Sequence, residues 1–313
     1  MHDLRVAILG SNSHIAKGLI NNFLRKSPYA IYLFTRSAAR TGDFLKSAGI
    51  ASGNCIIEEG YRNFMSGQYD VVINCVGAGT PNKLSGKFSD WFTITEEFDN
   101  LTLGYLQKNP GTLYVNFSSG AVYGKNGSAP VEENTENRIR VNHVPPEDYY
   151  SIVRLNSESK HRSFDGLKIA DLRIFAYFSR FIDLSSGYFI TELVNCLLNK
   201  KTFMTNDVNI VRDYIHPDDL YALVLKCIQA GKINTAFDAI SAKPVDKCQT
   251  LDFFTSRYGL KYEVNGNLTL GSPNGAKNIY CSNYNRAAGI GYKPEFSSMD
   301  ALEQEAKYIL VNN

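Results

Sequence analysis

The chain has 313 residues, 44% of them hydrophobic and 20% charged, with 33 basic against 31 acidic side chains and a net charge of +2. That apolar share closes a sizeable core, which excludes a disordered, coiled-coil or collagen-like chain. No block of like charge reaches five residues and no apolar stretch approaches the ~20 residues of a membrane helix, so neither nucleic acid nor a membrane is expected as a partner.

The first apolar run, Val6 to Leu9, is too short for a signal peptide, and a cytoplasmic protein is expected. Six cysteines (Cys55, Cys75, Cys196, Cys227, Cys248 and Cys281) lie far apart without a C-x-x-C pair. This spacing disfavours a zinc site or a redox dithiol and predicts buried, reduced thiols. Glycosylation triplets at Asn100, Asn116, Asn126 and Asn267 are chance matches in a chain with no secretion signal.

Apolar runs at Leu4–Leu9, Ile31–Phe34, Val71–Val76, Leu113–Phe117 and Ile169–Phe175 read as buried strands. Between them, Ile15–Arg25, Phe88–Gln107 and Tyr150–Phe164 carry apolar residues at helical spacing. The alternation predicts an α/β fold: a doubly wound parallel sheet with helices on both faces and a ligand site at the C-terminal strand ends. After Phe175 the rhythm breaks. Gly187–Leu198 and Asp218–Ile228 look helical, and turn formers cluster near Asn265, Gly271 and Gly289. The expected division is a sheet domain over residues 1–175 and a smaller lobe over 176–313, some of whose segments return to the sheet.

The first strand runs through Gly10-Ser-Asn-Ser13-His14-Ile15-Ala16 into a helix. A dinucleotide site needs a tight turn, bare backbone facing the pyrophosphate and a small residue where helix meets strand. Gly10 supplies the turn, whereas Ser13 and Ala16 are small but not glycine. The helix N-terminus offers free N–H groups to a phosphate; a plain strand–turn–helix capped by Ser13 would read the same. The second strand ends Thr35-Arg36-Ser37, with Arg40 close behind and no acid to hold the ribose of NAD. Arginines suit the 2′-phosphate of NADP, the alternative being two solvated side chains.

The strongest signal is Asn116-Phe-Ser118-Ser119-Gly-Ala-Val122-Tyr123-Gly124, followed by Tyr150-Ser-Ile-Val-Arg154-Leu-Asn-Ser-Glu158. Here the sequence resembles the extended short-chain dehydrogenase/reductase family of nucleotide-sugar epimerases, reductases and dehydratases. That family carries Ser-Ser-x-x-Val-Tyr-Gly after its fifth strand and then Tyr-x-x-x-Lys-x-x-x-Glu. Arg212-Asp-Tyr-Ile-His216-Pro-Asp-Asp219 and Asn285-Arg-Ala-Ala-Gly-Ile-Gly-Tyr-Lys-Pro294 are similar to two later family segments. The resemblance spans nearly the whole chain. It implies a Rossmann domain that binds NADP, with NAD possible, and a C-terminal lobe that holds a nucleotide sugar.

By position, the resemblance gives the catalytic roles to Ser119, Tyr150 and Arg154. Gly10, Ser13, His14, Ile15, Arg36, Arg40, Asn74, Cys75 and Val76 would bind the cofactor together with Tyr150 and Arg154. Ser119 and Arg212 would meet the substrate. A tyrosine near pKa 10 is a poor acid–base group at neutral pH until a nearby cation lowers that value. Arg154 replaces the family's lysine; it keeps the charge but is longer and planar. The acidic pair that dehydratases carry after the serine is Gly120-Ala121 here, which argues against dehydration. The asparagine that usually meets the sugar nucleotide is Ala176.

Arg212 is a candidate for the diphosphate, against a salt bridge with Asp213 or Asp219. His216 with Asp218 and Asp219 reads as helix capping by the two acids rather than as a metal site. The leading expectation is NADPH-dependent reduction of a keto-sugar nucleotide, with epimerisation as the close alternative and a catalytically weak dinucleotide sensor as a third. Family members commonly pair through the helices at Phe88–Gln107 and Tyr150–Phe164. The first carries Trp91, Phe92, Phe98 and Leu103, more apolar width than one buried face needs, so a homodimer is expected.

Overall fold

The computed structural model describes residues 4–51, 53–78, 87–125, 127–266 and 277–311. The triplets at Asn126 and Asn267 and the turn cluster at Gly271 lie outside the described residues.

Seven strands form the central sheet: β1 (Arg5–Leu9), β2 (Ala30–Thr35), β3 (Cys55–Glu59), β4 (Val71–Asn74), β5 (Leu113–Ser119), β6 (Lys168–Ile174) and β11 (Asn234–Ala239). Every pairing is parallel, in the order β11-β6-β5-β4-β1-β2-β3. The side-chain alternation of β1 shows why both faces must be covered. Val6 and Ile8 pack with α1 (His14–Lys26), α2 (Ala38–Ser47) and α6 (Pro217–Gln229). Ala7 and Leu9 pack with α3 (Ser89–Lys108) on the other side, and α4 (Pro146–Arg162) lies against α3. A strand buried on both faces reads as an unbroken apolar run, which is why these strands were legible.

The edge strands were not. β3 is Cys-Ile-Ile-Glu-Glu and half exposed. β11 is Asn-Thr-Ala-Phe-Asp-Ala, which brings a late segment to the sheet beside β6. α4 begins four residues before Tyr150, because Pro146 sits at its first turn with Glu147 and Asp148 beside it.

A second core joins α5 (Phe189–Leu198), α7 (Lys247–Tyr258) and α8 (Ser298–Leu310). Short sheets tie this lobe together. β7 (Ala176–Tyr177) pairs with β10 (Tyr214–Ile215), and β8 (Phe203–Thr205) with β13 (Tyr262–Val264). β9 (Val211–Arg212) lies between β12 (Val245–Asp246) and β14 (Ile279–Tyr280).

Two expectations change. Cys75, Cys227 and Cys281 are buried, Cys55 and Cys196 are partly so, and Cys248 is exposed. In α3, Trp91, Phe98 and Leu103 are buried inside the chain and Phe92 is partly so. The acids after Pro217 do not cap α6. The His216 imidazole does, accepting from the Asp218 N–H at 3.0 Å and stacking on Phe296 at 4.1 Å. Asp219 instead accepts the N–H groups of Glu295 and Phe296, and Asp218 pairs with Lys26 at 2.6 Å. No helix among the described residues is long and apolar enough to cross a membrane.

Between α3, α4 and β6, the fully buried His161 bridges two carboxylates, Asp99 at 2.6 Å and Asp171 at 2.8 Å. Burial alone would lower its pKa, but the bonds to Asp171 and Asp99 prevail and raise it to about 9. Both ring nitrogens face acceptors, which only the imidazolium satisfies. Because the folded pKa lies above the unfolded value near 6.5, this stabilisation is complete below that pH and is lost as pH rises through about 9. The expected loss is roughly 3 kcal/mol. Urea unfolding at pH 6 and at pH 10 should show it as a difference between the parent and His161→Gln, and equal pH slopes in the two would refute it.

Candidate active site at the C-terminal strand ends

The turn after β1 is fixed by backbone geometry. Gly10 has φ of +75°, and its N–H and that of Ser11 both donate to the Phe34 carbonyl of β2, at 2.9 and 3.2 Å. A Cβ on Gly10 would lie 3.0 Å from Val76, so the residue is required both for its φ and for the close approach of the loop after β4. Ser13 caps α1, accepting the Ala16 N–H at 3.3 Å, which is the plain capping role. Asn12 bonds to Thr35 at 2.7 Å and Thr41 to Asn12 at 3.2 Å, pinning the turn to the start of α2.

Asn74, Cys75 and Val76 come to the same place: the Cys75 N–H donates to Leu9, and the Val76 N–H to Asn74 Oδ1 at 3.0 Å. Burial pushes the Cys75 thiol up, so it is held protonated beside Ser13. His14 turns inward to Ser179 at 2.8 Å and packs on Tyr177, and Ile15 packs against the core. Burial and the nearby Lys17 lower the His14 pKa to about 3, so the ring is neutral. The glycine cradle and the α1 N-terminus fit a dinucleotide pyrophosphate.

Arg36 and Arg40 are exposed at the edge after β2. Lys17 joins them; burial first and then Arg40 lower its pKa. The acid not found at the end of β2 arrives from β3 instead, where Glu59 accepts the Ala38 N–H at 2.9 Å. Sequence reasoning missed it because β3 itself was missed.

Ser119 ends β5, buried, with its Oγ accepting the Ala121 N–H at 3.2 Å and standing 3.1 Å from the Tyr280 hydroxyl. Gly120 starts a 3₁₀ turn, and a Cβ there would lie 2.6 Å from the Phe175 ring. No side chain fits that position, so the missing acid has a steric reason. Tyr150 packs on Trp91, with its hydroxyl making no hydrogen bond among the described residues. Arg154 Nη1 donates to the Phe117 carbonyl at 3.1 Å and the guanidinium lies over the Tyr150 ring, 5.0 Å from its centre. The charge thus lies over the ring of Tyr150. Arg154 also approaches Gly77 after β4, and its buried Nε has no partner among the described residues.

Arg212 forms neither of the salt bridges considered for it. It is buried and donates to the carbonyls of Val211 at 2.8 Å and Asn278 at 3.3 Å. Asp213 is occupied by the Ser241 N–H, at 2.9 Å. Lys277, which no motif singled out, lies over the Tyr280 ring at 4.6 Å. Burial and then Arg212 lower its pKa to about 8. Two cations without a carboxylate partner among the described residues therefore border the Ser119 site. A separate cleft of about 410 Å³ contains none of these groups; its walls include the ion-paired Arg180, Glu305 and Asp218.

The model of the NAD dependent epimerase/dehydratase family matches residues 6–239. Among solved structures, the chain is similar to UDP-glucuronic acid 4-epimerase from Bacillus cereus, bound to UDP-4-deoxy-4-fluoro-glucuronic acid and NAD. The TM-score is 0.80 at 17% identity, covering 99% of this chain and 100% of that one. UDP-N-acetylglucosamine 4-epimerase from Methanobrevibacter ruminantium, in complex with UDP-N-acetylmuramic acid, gives 0.79 at 16% identity over 100% of both chains. dTDP-glucose 4,6-dehydratase from Bacillus anthracis, in complex with NAD, gives 0.75 at 14%, over 99% of this chain and 97% of that one. At these identities the likeness is one of fold. No curated protein sequence matches the chain.

Gly10→Ala should weaken dinucleotide binding. Strain at positive φ costs roughly 1–3 kcal/mol, and the contact with Val76 adds to it. Calorimetry should show at least a tenfold loss of affinity with the circular dichroism of the fold retained; unchanged affinity would remove the turn from the site.

Proposed function

The chain belongs to the NAD dependent epimerase/dehydratase family, and from that premise we propose that it epimerises a nucleotide sugar. The observation that carries the reading is the site at the end of β5. It joins a buried Ser119, a Tyr150 hydroxyl with no hydrogen-bond partner among the described residues and the Arg154 guanidinium, and a Cβ at position 120 would meet the Phe175 ring. A bound nicotinamide dinucleotide supplies a hydride acceptor that can return the hydride to the opposite face of the sugar carbon.

This chain's residues do the rest. Gly10, Ser13 and the α1 N-terminus hold the pyrophosphate, while Asn74, Cys75 and Val76 form the neighbouring wall. Arg154 holds ribose through its Nε–H, which has no partner among the described residues. Ser119 holds the reacting sugar oxygen, and Tyr150 takes its proton and gives it back. Arg212 and Lys277 hold the diphosphate as a pair of cations. The solved relatives named above bind NAD or UDP-sugars, which supports the substrate class. Arg36 and Arg40 favour the added phosphate of NADP; this keeps NADPH-dependent reduction as the second reading.

Cofactor accounting separates the two. With a panel of nucleotide sugars and catalytic amounts of NAD or NADP, the epimerase reading expects interconversion of sugar isomers by NMR with no net change in reduced cofactor. Stoichiometric NADPH oxidation would replace it with the reductive reading, and binding without turnover would leave a sensor. Tyr150→Phe should cost roughly 10²–10⁴ in rate; an equal rate would remove Tyr150 from the mechanism.

Lys277 carries a second expectation. Because its pKa lies at about 8, it is charged below that pH and loses the charge as pH rises through it. KM for the nucleotide sugar should therefore rise above pH 8 in the parent and stay flat in Lys277→Arg. Matching pH profiles would exclude the lysine from substrate binding.

A further inference from the structure

A serine hydroxyl has one proton to give and two lone pairs to receive. At Ser119 one lone pair takes the Ala121 N–H, at 3.2 Å, and the Tyr280 phenol stands 3.1 Å from the same oxygen. Tyr280 is buried and makes no other hydrogen bond among the described residues. Burial raises its ionisation well above the ordinary tyrosine range, so the phenol keeps its proton. Among the described residues, Ser119 Oγ is the acceptor open to that proton. A buried O–H left unpaired is costly, and this sets the direction of the bond. With both lone pairs filled, the Ser119 proton is free to point only toward an oxygen entering the site.

We infer that Tyr280 is a positioning residue that locks Ser119 as a hydrogen-bond donor toward the reacting sugar oxygen. The inference rests on the epimerase reading. A sugar hydroxyl beside a freely rotating serine has two arrangements. It can give its proton to Ser119, which turns that proton away from Tyr150 and blocks its removal. Alternatively it can accept from Ser119, which leaves its own proton for Tyr150. Filling the serine's lone pairs excludes the first arrangement. After oxidation the sugar oxygen is a carbonyl and can only accept, so the same locked donor serves the return of hydride. One fixed bond direction suits both halves of an epimerisation.

The ring of Tyr280 is held independently of its hydroxyl. β14 pairs with β9 so that Tyr280 stands beside Arg212. The ring packs against Phe175 at 5.2 Å, with the Lys277 ammonium 4.6 Å from its centre. Tyr280→Phe therefore removes one oxygen and leaves this packing in place.

The test is a double-mutant cycle on the full chain with dinucleotide and a nucleotide sugar the parent turns over. Tyr280→Phe should lower kcat about tenfold, the size of one lost neutral hydrogen bond, with KM within twofold. In a Ser119→Ala background the same change should have less than a twofold effect, because there is no serine proton left to direct. Dinucleotide affinity and melting temperature should match those of the parent; if Tyr280→Phe fails to fold, Tyr280→Met, a flexible apolar side chain without a hydroxyl, repeats the cycle. An unchanged kcat overturns the proposal. So does an equal loss in both backgrounds, which would mark Tyr280 as structural only. A parent that turns over no nucleotide sugar overturns the epimerase reading and the proposal together, an outcome distinct from the other two.

Discussion

A strand buried at every residue cannot leave a polar side chain unpaired, and β5 carries three near its C-terminal end. Asn116 donates to Asp171 at 2.7 Å, Ser118 donates to Glu158 at 2.6 Å, and Ser119 meets Tyr280. Each partner recruits others. Asp171 holds His161, which reaches Asp99. Glu158 takes Arg173 at 2.6 Å, and Arg173 bonds to Tyr123 and, at 3.5 Å, to Asp238. Asp238 accepts Ser282 at 2.5 Å. The polar requirements of one strand thus position α3, α4, β6, β11 and the segment after β14. Removing a single charged partner from such a network leaves an uncompensated buried charge, typically worth 3–5 kcal/mol.

The same network separates paired from unpaired charge among the described residues. Arg173 and Arg180 each have a carboxylate within 2.6 Å and serve the fold. Arg154 and Arg212 are partnered by backbone carbonyls, and Lys277 lies over an aromatic ring. Their positive charge is not neutralised by an acid among the described residues, and all three border the end of β5 or its neighbours. Such a grouping is where an anionic cofactor or substrate gains most, because its charge meets cations already partly stripped of water.

Substitution of arginine for the family's lysine changes geometry more than charge. The planar guanidinium spans from the Phe117 carbonyl toward Gly77 and lies over the Tyr150 ring, a reach a compact ammonium does not have. Gly120 shows the opposite relation, where a departure at one position is dictated by a neighbour far along the chain. Phe175 occupies the volume any side chain there would need.

Much of this was legible in the order of residues. Unbroken apolar runs marked β1, β2, β4, β5 and β6, since a strand covered on both faces has no reason to alternate, and the contiguous motifs put Gly10 and Ser119 at strand ends and Tyr150 and Arg154 on α4. Local chemistry is written locally. β3 escaped notice because it is half exposed, and β11, though expected only as some late segment returning to the sheet, because Asn, Thr and Asp interrupt its apolar residues. Glu59, Lys277 and Tyr280 escaped with them, as did the His161 clamp: their meaning lies in partners far off in sequence, 161 residues away for Ser119 and Tyr280. Which hydroxyl holds Ser119, which acid reaches α2 and which cations stay unpaired were settled only by packing, because burial turns distant polar groups into obligatory partners.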